Sequence, residues 1–277
     1  MKVAFIGGGN MAHAMLGGMR AGGMVTASMH VLEPDTVKCA DLARDFGVAA
    51  HEHSGDWLQD AEVVVLAIKP QQAREAVAGI IPYMGDPVVV SIVAGVQGRT
   101  LARWLGHQRV VRAMPNTPAL IRAGITGAVA LSGVSKSQHD KADRILRSVG
   151  EVLWLEDESL LDPVTAISGS GPAYVFFFIE ALQEAAHEMG FSADQARKLA
   201  VETFAGAARL AQQSDQPIAV LRERVTSKGG TTAAALARFE RDDVRSRIVE
   251  AVRAARDRAA EMGQQFDAES GDDQRTR

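Results

Sequence analysis

Up to about residue 160, short runs of apolar, often β-branched residues alternate with stretches in which apolar positions recur every three or four residues. Gly and Pro punctuate most of the joins. Strand alternating with helix is the pattern of βαβ units, whose crossover helices leave the strands parallel. The runs predict strands over 3–7, 29–33, 63–68, 87–93 and 110–114, and helices over 11–20, 36–46, 71–81 and 100–105. A strand over 127–131 and a helix over 136–149 close this half as a doubly wound layout.

Beyond residue 162 the rhythm changes, and 172–190, 193–213, 218–225, 231–239 and 244–263 all carry helical spacing. The first of these has apolar or aromatic residues nearly all round, including Tyr174, Val175, Phe176, Phe177, Phe178 and Ile179, where a surface helix would show one stripe. Such a helix must be covered on every side. Five helices offer little interior, so it is expected to lie partly in a subunit interface. The expected organisation is an α/β domain over 1–162, an all-helical domain over 163–263 and a polar, fraying tail over 264–277.

Composition narrows the function classes. Of 277 residues, 47% are apolar and 23% charged, a balance that supports one large or two modest globular domains. The formal charge of −4 and the scattered Lys and Arg residues leave no basic face for a phosphate backbone, so nucleic acid is not an expected partner. Cys39, the single cysteine, has no internal disulfide partner, which fits a reducing, cytoplasmic setting, and it reads as a helix filler. The opening Met1-Lys2-Val3-Ala4-Phe5-Ile6 stops at three glycines, too early for a signal peptide, and reads as a first strand. The most apolar stretch, 172–182, carries Glu180 and is shorter than a bilayer requires, so no membrane span is expected.

The segment Ile6-Gly7-Gly8-Gly9-Asn10-Met11-Ala12 falls where the first strand turns into the first helix, giving G-x-G-x-x-A with Gly7, Gly9 and Ala12. Gly7 permits the tight turn, Gly9 lets backbone approach a pyrophosphate, and the helix start supplies unpaired N–H groups and a positive dipole end. Glu33 stands 24 residues beyond Gly9, where an acid grips the adenosine ribose and disfavours a 2′-phosphate. A solvated turn acid before Pro34 is the alternative. Ala67, Lys69 and Pro70 end the strand over 63–68, and Ala94 follows the one over 87–93, both at the carboxyl edge where open α/β sheets bind ligands. The expected cofactor, NADPH or NADH, would thus meet Ile6, Gly7, Gly8, Gly9, Asn10, Met11, Glu33, Ala67, Lys69, Pro70 and Ala94.

Reductases of ketones need a proton donor of tuned acidity near the carbonyl oxygen. Tyr83 and Tyr174 lack a Lys four residues on, and the histidines have no evident carboxylate partner. His51 and His53 read as part of a solvated acidic loop rather than a metal pair, and His187 as a packed helical residue, so no metal is expected. A protonated imine accepts hydride without a strong acid, and such a substrate would account for the missing donor.

Five segments carry a resemblance: the Gly7 to Ala12 turn, Lys69-Pro70-Gln71, Arg112-Ala113-Met114-Pro115-Asn116-Thr117-Pro118, Thr165-Ala166-Ile167-Ser168-Gly169-Ser170-Gly171-Pro172, and Thr226-Ser227-Lys228-Gly229-Gly230-Thr231-Thr232. In order and spacing, over residues 1–263, they resemble pyrroline-5-carboxylate reductases. The resemblance implies an N-terminal Rossmann-type domain followed by a helical substrate and dimerisation domain, assembled as a homodimer or larger homo-oligomer. It implies hydride transfer from NADPH or NADH to the C=N bond of L-1-pyrroline-5-carboxylate, giving L-proline. It further implies that Ser227, Gly229, Gly230 and Thr231 hold the substrate carboxylate, and that Thr232, the catalytic residue, aligns the ring nitrogen. Paired glycines ahead of a helix also make a natural anion nest, although an ordinary N-cap uses the same residue types. Lys228 departs from the proline usual in the family, and Glu33 from a small polar residue. A hydroxyacid or ketone reductase, or a nucleotide-sensing module, are the rival readings, since fold alone does not prove activity.

Overall fold

A computed structural model describes residues 1–271, with side chains to Gln265. Eight strands form one sheet: β1 (Val3–Ile6), β2 (Met29–Leu32), β3 (Ala49–His51), β4 (Val63–Leu66), β5 (Val88–Ser91), β6 (Val110–Met114), β7 (Gly124–Ala130) and β8 (Gly150–Trp154). The helices among them are α1 (Asn10–Ala21), α2 (Thr36–Phe46), α3 (Ala73–Ile80), α4 (Gly98–Leu105), α5 (Lys136–Leu146) and the short α6 (Leu161–Val164). Then come α7 (Gly171–Glu188), α8 (Ala193–Gln212), α9 (Ile218–Arg224), α10 (Thr231–Arg241) and α11 (Val244–Gly271).

The sheet order is β3-β2-β1-β4-β5-β6-β7-β8, so the winding reverses between β1 and β4. Pairing is parallel except between β6 and β7. Residues 115–123 are too few for a crossover, which needs a dozen or more, so β7 has to return antiparallel. β1, β4 and β5 are buried at every position, as strands with both faces covered must be. On one face Val3, Phe5, Val65 and Val90 pack with Met15 and Leu16 of α1 and Ile145 of α5. On the other, Ile6, Val64 and Val89 pack with Val77 and Ile80 of α3 and Leu101 of α4. Two apolar layers thus clamp the sheet and fix where its carboxyl ends point.

The chain divides into two compact units, Met1–Ser170 joined by 255–271, and Gly171–Ala254. The sequence suggested breaks at 162 and 263, whereas by contacts the first break follows Ser170 and the end of α11 groups with the sheet. Where the sequence suggested a polar tail from residue 264, α11 continues to Gly271, as Gln264, Gln265 and Ala268 are residues a helix accepts. The rest of that tail, 272–277, lies outside the described residues. Within the second unit α7 packs along α8, which opens on a Ser192–Gln195 capping box. Phe176 and Phe177 of α7 remain 59% and 67% exposed in the single chain. The run Glu158–Glu188, 31 residues with a most apolar window of mean hydropathy 1.2, meets the length and composition of a bilayer span, longer than the stretch singled out from the sequence.

Candidate functional site

The nucleotide-binding candidate grows out of β1. Gly7 adopts φ +97°, and a Cβ there would stand 2.5 Å from the Ala67 carbonyl oxygen, so the turn admits only glycine. Gly9 starts α1 in an extended conformation, with nothing among the described residues within 4 Å of where a Cβ would project. The opening N–H groups of α1 carry no side-chain cap. An open backbone face at an uncapped helix start suits a pyrophosphate.

A groove of about 1090 Å³ runs past this turn. Of the residues expected around a cofactor, Ile6, Gly7, Gly8, Gly9, Glu33, Ala67 and Lys69 line it. Asn10 and Met11 open α1 and Pro70 opens a short 3-10 turn, none of them in the groove lining. Sequence reasoning missed Asp35, Lys38 and Glu52, which line the groove beyond β2; Asp35 carried a legible signal as the N-cap type before α2. Glu33 is not a loosely solvated turn acid: its Oε2 accepts from the Gly8 N–H at 3.0 Å and its Oε1 from the Asp35 N–H at 3.2 Å.

Ala94 lines a separate small cavity of about 50 Å³ with Gly95, Arg112, Met114, Thr165 and Met262. Arg112 is held by Glu158 at 2.6 Å, and Glu158 Oε1 also accepts from the Gly98 N–H at 2.6 Å, at the start of α4. Asn116 ties its strand-following loop to a π-helical turn, Thr165–Gly169, by donating to the Ser168 carbonyl oxygen at 3.2 Å while accepting from Ile125 N–H at 3.0 Å. Such π-turns commonly mark functional positions, and Thr165 faces the cavity from this one. Gly263 of α11 is buried, and a Cβ on it would lie 3.5 Å from the Gly95 carbonyl oxygen.

In the second unit, residues 227–232 form a tight loop running into α10. The Gly230 N–H donates to the Ser227 carbonyl oxygen at 3.0 Å, and Gly229 adopts φ +73°. Gly230 is the N-cap of α10, with no side-chain cap, so the threonines are not the cap that the alternative reading supposed. Thr231 and Thr232 are the first two residues of the helix, whose opening N–H groups are left uncapped by side chains.

The expectation of a solvated loop at His51 is overturned. His51 ends β3, paired with Leu32 of β2, and stacks on Trp57 at 4.2 Å between ring centroids. Its Nε2 lies 3.0 Å from His30 Nδ1. Burial lowers the pKa of both imidazoles, reinforced by Lys2 at His30 and by His30 at His51. His53 does line the groove. Among the described residues, no group of three or more His, Cys, Asp or Glu is placed to hold a metal.

Residues 158–262 match the family described as pyrroline-5-carboxylate reductase dimerisation, and residues 2–95 match coenzyme F420-dependent NADP oxidoreductases. Pyrroline-5-carboxylate reductase from Pseudomonas aeruginosa is 41% identical over 267 residues, covering 96% of this chain and 98% of its own. The Escherichia coli enzyme of the same name is 38% identical, covering 91% and 94%. Among solved structures, a pyrroline-5-carboxylate reductase from Coxiella burnetii superposes with a TM-score of 0.89 at 38% identity, covering 94% and 98%. A Plasmodium falciparum pyrroline carboxylate reductase with NADP bound gives 0.84 at 28% identity, covering 95% and 98%.

Proposed function

The chain belongs to the pyrroline-5-carboxylate reductase family, and on that premise we propose that it reduces the C=N bond of L-1-pyrroline-5-carboxylate to L-proline with NADPH or NADH as reductant. One observation supports this reading beyond likeness: two helices, one per unit, begin on a glycine with no side-chain cap, α1 at Gly9 and α10 at Gly230. By contrast α2, α5 and α8 are capped by Asp35, Ser135 and Ser192. The reaction brings together two anions, a dinucleotide pyrophosphate and a substrate carboxylate, and each uncapped start supplies N–H donors for one.

The residues present fit a dinucleotide, since the open face at Gly9 is the cradle a Cβ would fill. When bound, NAD(P)H supplies hydride from nicotinamide C4 to the imine carbon, and the ring nitrogen of the protonated imine keeps its proton in the product amine. Gly9 and the uncapped N–H groups at the start of α1 would hold the pyrophosphate, while Gly7 and Gly8, whose own N–H groups donate to the Leu32 carbonyl oxygen and to Glu33, shape the turn. Ala67, Lys69 and Pro70 border the cofactor, Asn10 and Met11 present the helix start, and Ala94 leaves room beside the nicotinamide. Ser227, Gly229, Gly230 and Thr231 hold the carboxylate, and the Thr232 hydroxyl orients the ring nitrogen. With orientation and electrostatics supplied in this way, no strong acid is required of the protein.

The same reading makes the enzyme a cytoplasmic homodimer or larger homo-oligomer, with the apolar residues of α7 covered by a second subunit rather than by lipid or nucleic acid. Purified protein given NADPH or NADH should oxidise it with pyrroline-5-carboxylate and not with simple ketoacids. Oxidation with ketoacids alone, or with neither substrate, would overturn the assignment.

A further inference from the structure

The adenosine end of the groove is built of carboxylates. Glu33, Asp35 and Glu52 line it beyond the carboxyl ends of β2 and β3, together with Lys38 and His53, while Lys69 and Glu75 line the groove on the β4 side. All three acids also lie near the buried Cys39 thiol, whose pKa is raised by burial first and then by the charges of Glu52, Glu33 and Asp35. The Cys39 Sγ donates to the Glu33 carbonyl oxygen at 2.9 Å, tying α2 to the end of β2.

Glu33 is also preorganised. Two backbone N–H groups, from Gly8 and Asp35, fix the carboxylate, and a Cβ on Gly8 would press to 2.6 Å from Leu42 Cδ1 and 3.2 Å from Glu33 Oε2, so a larger residue there would have to displace both side chains. A carboxylate so held keeps lone pairs for ribose hydroxyls, which donate to it without further ordering of the side chain. The start of α2, the natural donor for a phosphate at this end, is partly used: Asp35 Oδ1 accepts from Val37 N–H at 2.9 Å and from Lys38 N–H at 3.1 Å. A 2′-phosphate would therefore meet negative charge and a helix end with two of its opening donors already engaged.

We propose that Glu33, backed by Asp35 and Glu52, makes this chain select NADH over NADPH, by accepting hydrogen bonds from the adenosine ribose and repelling a 2′-phosphate. This rests on the nucleotide reading of the groove and departs from the NADP found with one of the structural relatives. Titration calorimetry of the full-length protein with NADH and with NADPH should give at least tenfold tighter binding of NADH. Raising the ionic strength should narrow that ratio, since repulsion between partly exposed charges is screened. Glu33→Gln, which keeps an acceptor for the Gly8 N–H and removes the charge, should narrow it at least threefold, and Glu33→Ser further. NADPH bound as tightly as NADH by the unaltered protein overturns the inference, as does a ratio unmoved in Glu33→Gln. Binding of neither nucleotide overturns the nucleotide reading with it.

Discussion

The Arg112 guanidinium and the Glu158 carboxylate meet at 2.6 Å in the wall of the cavity that Ala94 lines, with the arginine side chain only 10% exposed. Glu158 bridges β6 to the start of α4 through its second bond, to Gly98. Glu158→Ala should lower the free energy of unfolding by on the order of 3 kcal/mol, because it strands a largely buried charge. Glu158→Gln, which keeps the acceptor, should lose less. Urea denaturation compares them, and equal stability for all three proteins would show that the pair is not holding the cavity wall.

Gly7 and Gly9 sit two residues apart and should respond oppositely to the same change. Gly7→Ala forces a Cβ into a left-handed conformation and against the Ala67 carbonyl, with an expected cost of about 2 kcal/mol or more. Gly9→Ala projects into open space and should cost less than about 1 kcal/mol as a changed N-cap. Yet it should weaken nucleotide binding over tenfold by filling the pyrophosphate face. Thermal unfolding and calorimetric titration separate the two effects.

Thr232→Ala removes a hydroxyl from the first turn of α10, in the second unit. Turnover of pyrroline-5-carboxylate should fall more than tenfold while nucleotide affinity stays within a factor of two. Unchanged turnover in steady-state kinetics would remove Thr232 from the mechanism.

The stacked His30, His51 and Trp57 predict an acid-sensitive edge of the sheet. Both imidazoles have pKa values lowered from 6.5, by burial first. Folded protein therefore resists protonation that the unfolded chain accepts, and stability should be flat above about pH 7 and decline as pH falls below 6.5. In the double variant His30→Gln, His51→Gln the decline should shrink, with a remainder from the similarly lowered His107. Denaturation midpoints from pH 8 to 5.5 test this, and identical slopes would refute it.

Phe177→Glu, at an exposed position of α7 within the segment matched to the dimerisation family, should shift the protein toward monomer in light scattering. A mass unaltered at low micromolar concentration would place the interface elsewhere.

The strands that the sequence showed plainly were those buried on both faces, such as β4, whose Val63, Val64, Val65 and Leu66 have no polar interruption. β3 escaped notice because three half-buried residues leave no period to read. β8 escaped because it follows α5 through a single 3-10 turn with no Pro to mark a boundary. The glycine turn was legible, since Gly7 answers a local backbone demand. The Glu33 to Gly8 bond was not, because it joins residues 25 apart through the packing of β2 beside β1. The stacking of His51 on Trp57 was hidden likewise, as it requires β3 to exist.

The stretch 255–271 lies with the sheet, so the nucleotide-binding half is encoded in two pieces of the gene, with the helical half inserted between them. A chimera spliced once at residue 170 would combine the sheet of one parent with the terminal helix of the other, setting a foreign residue opposite Gly95 where Met262 and Gly263 now fit. Trading cofactor modules between relatives therefore calls for two junctions, and evolution by single recombination at that boundary is disfavoured.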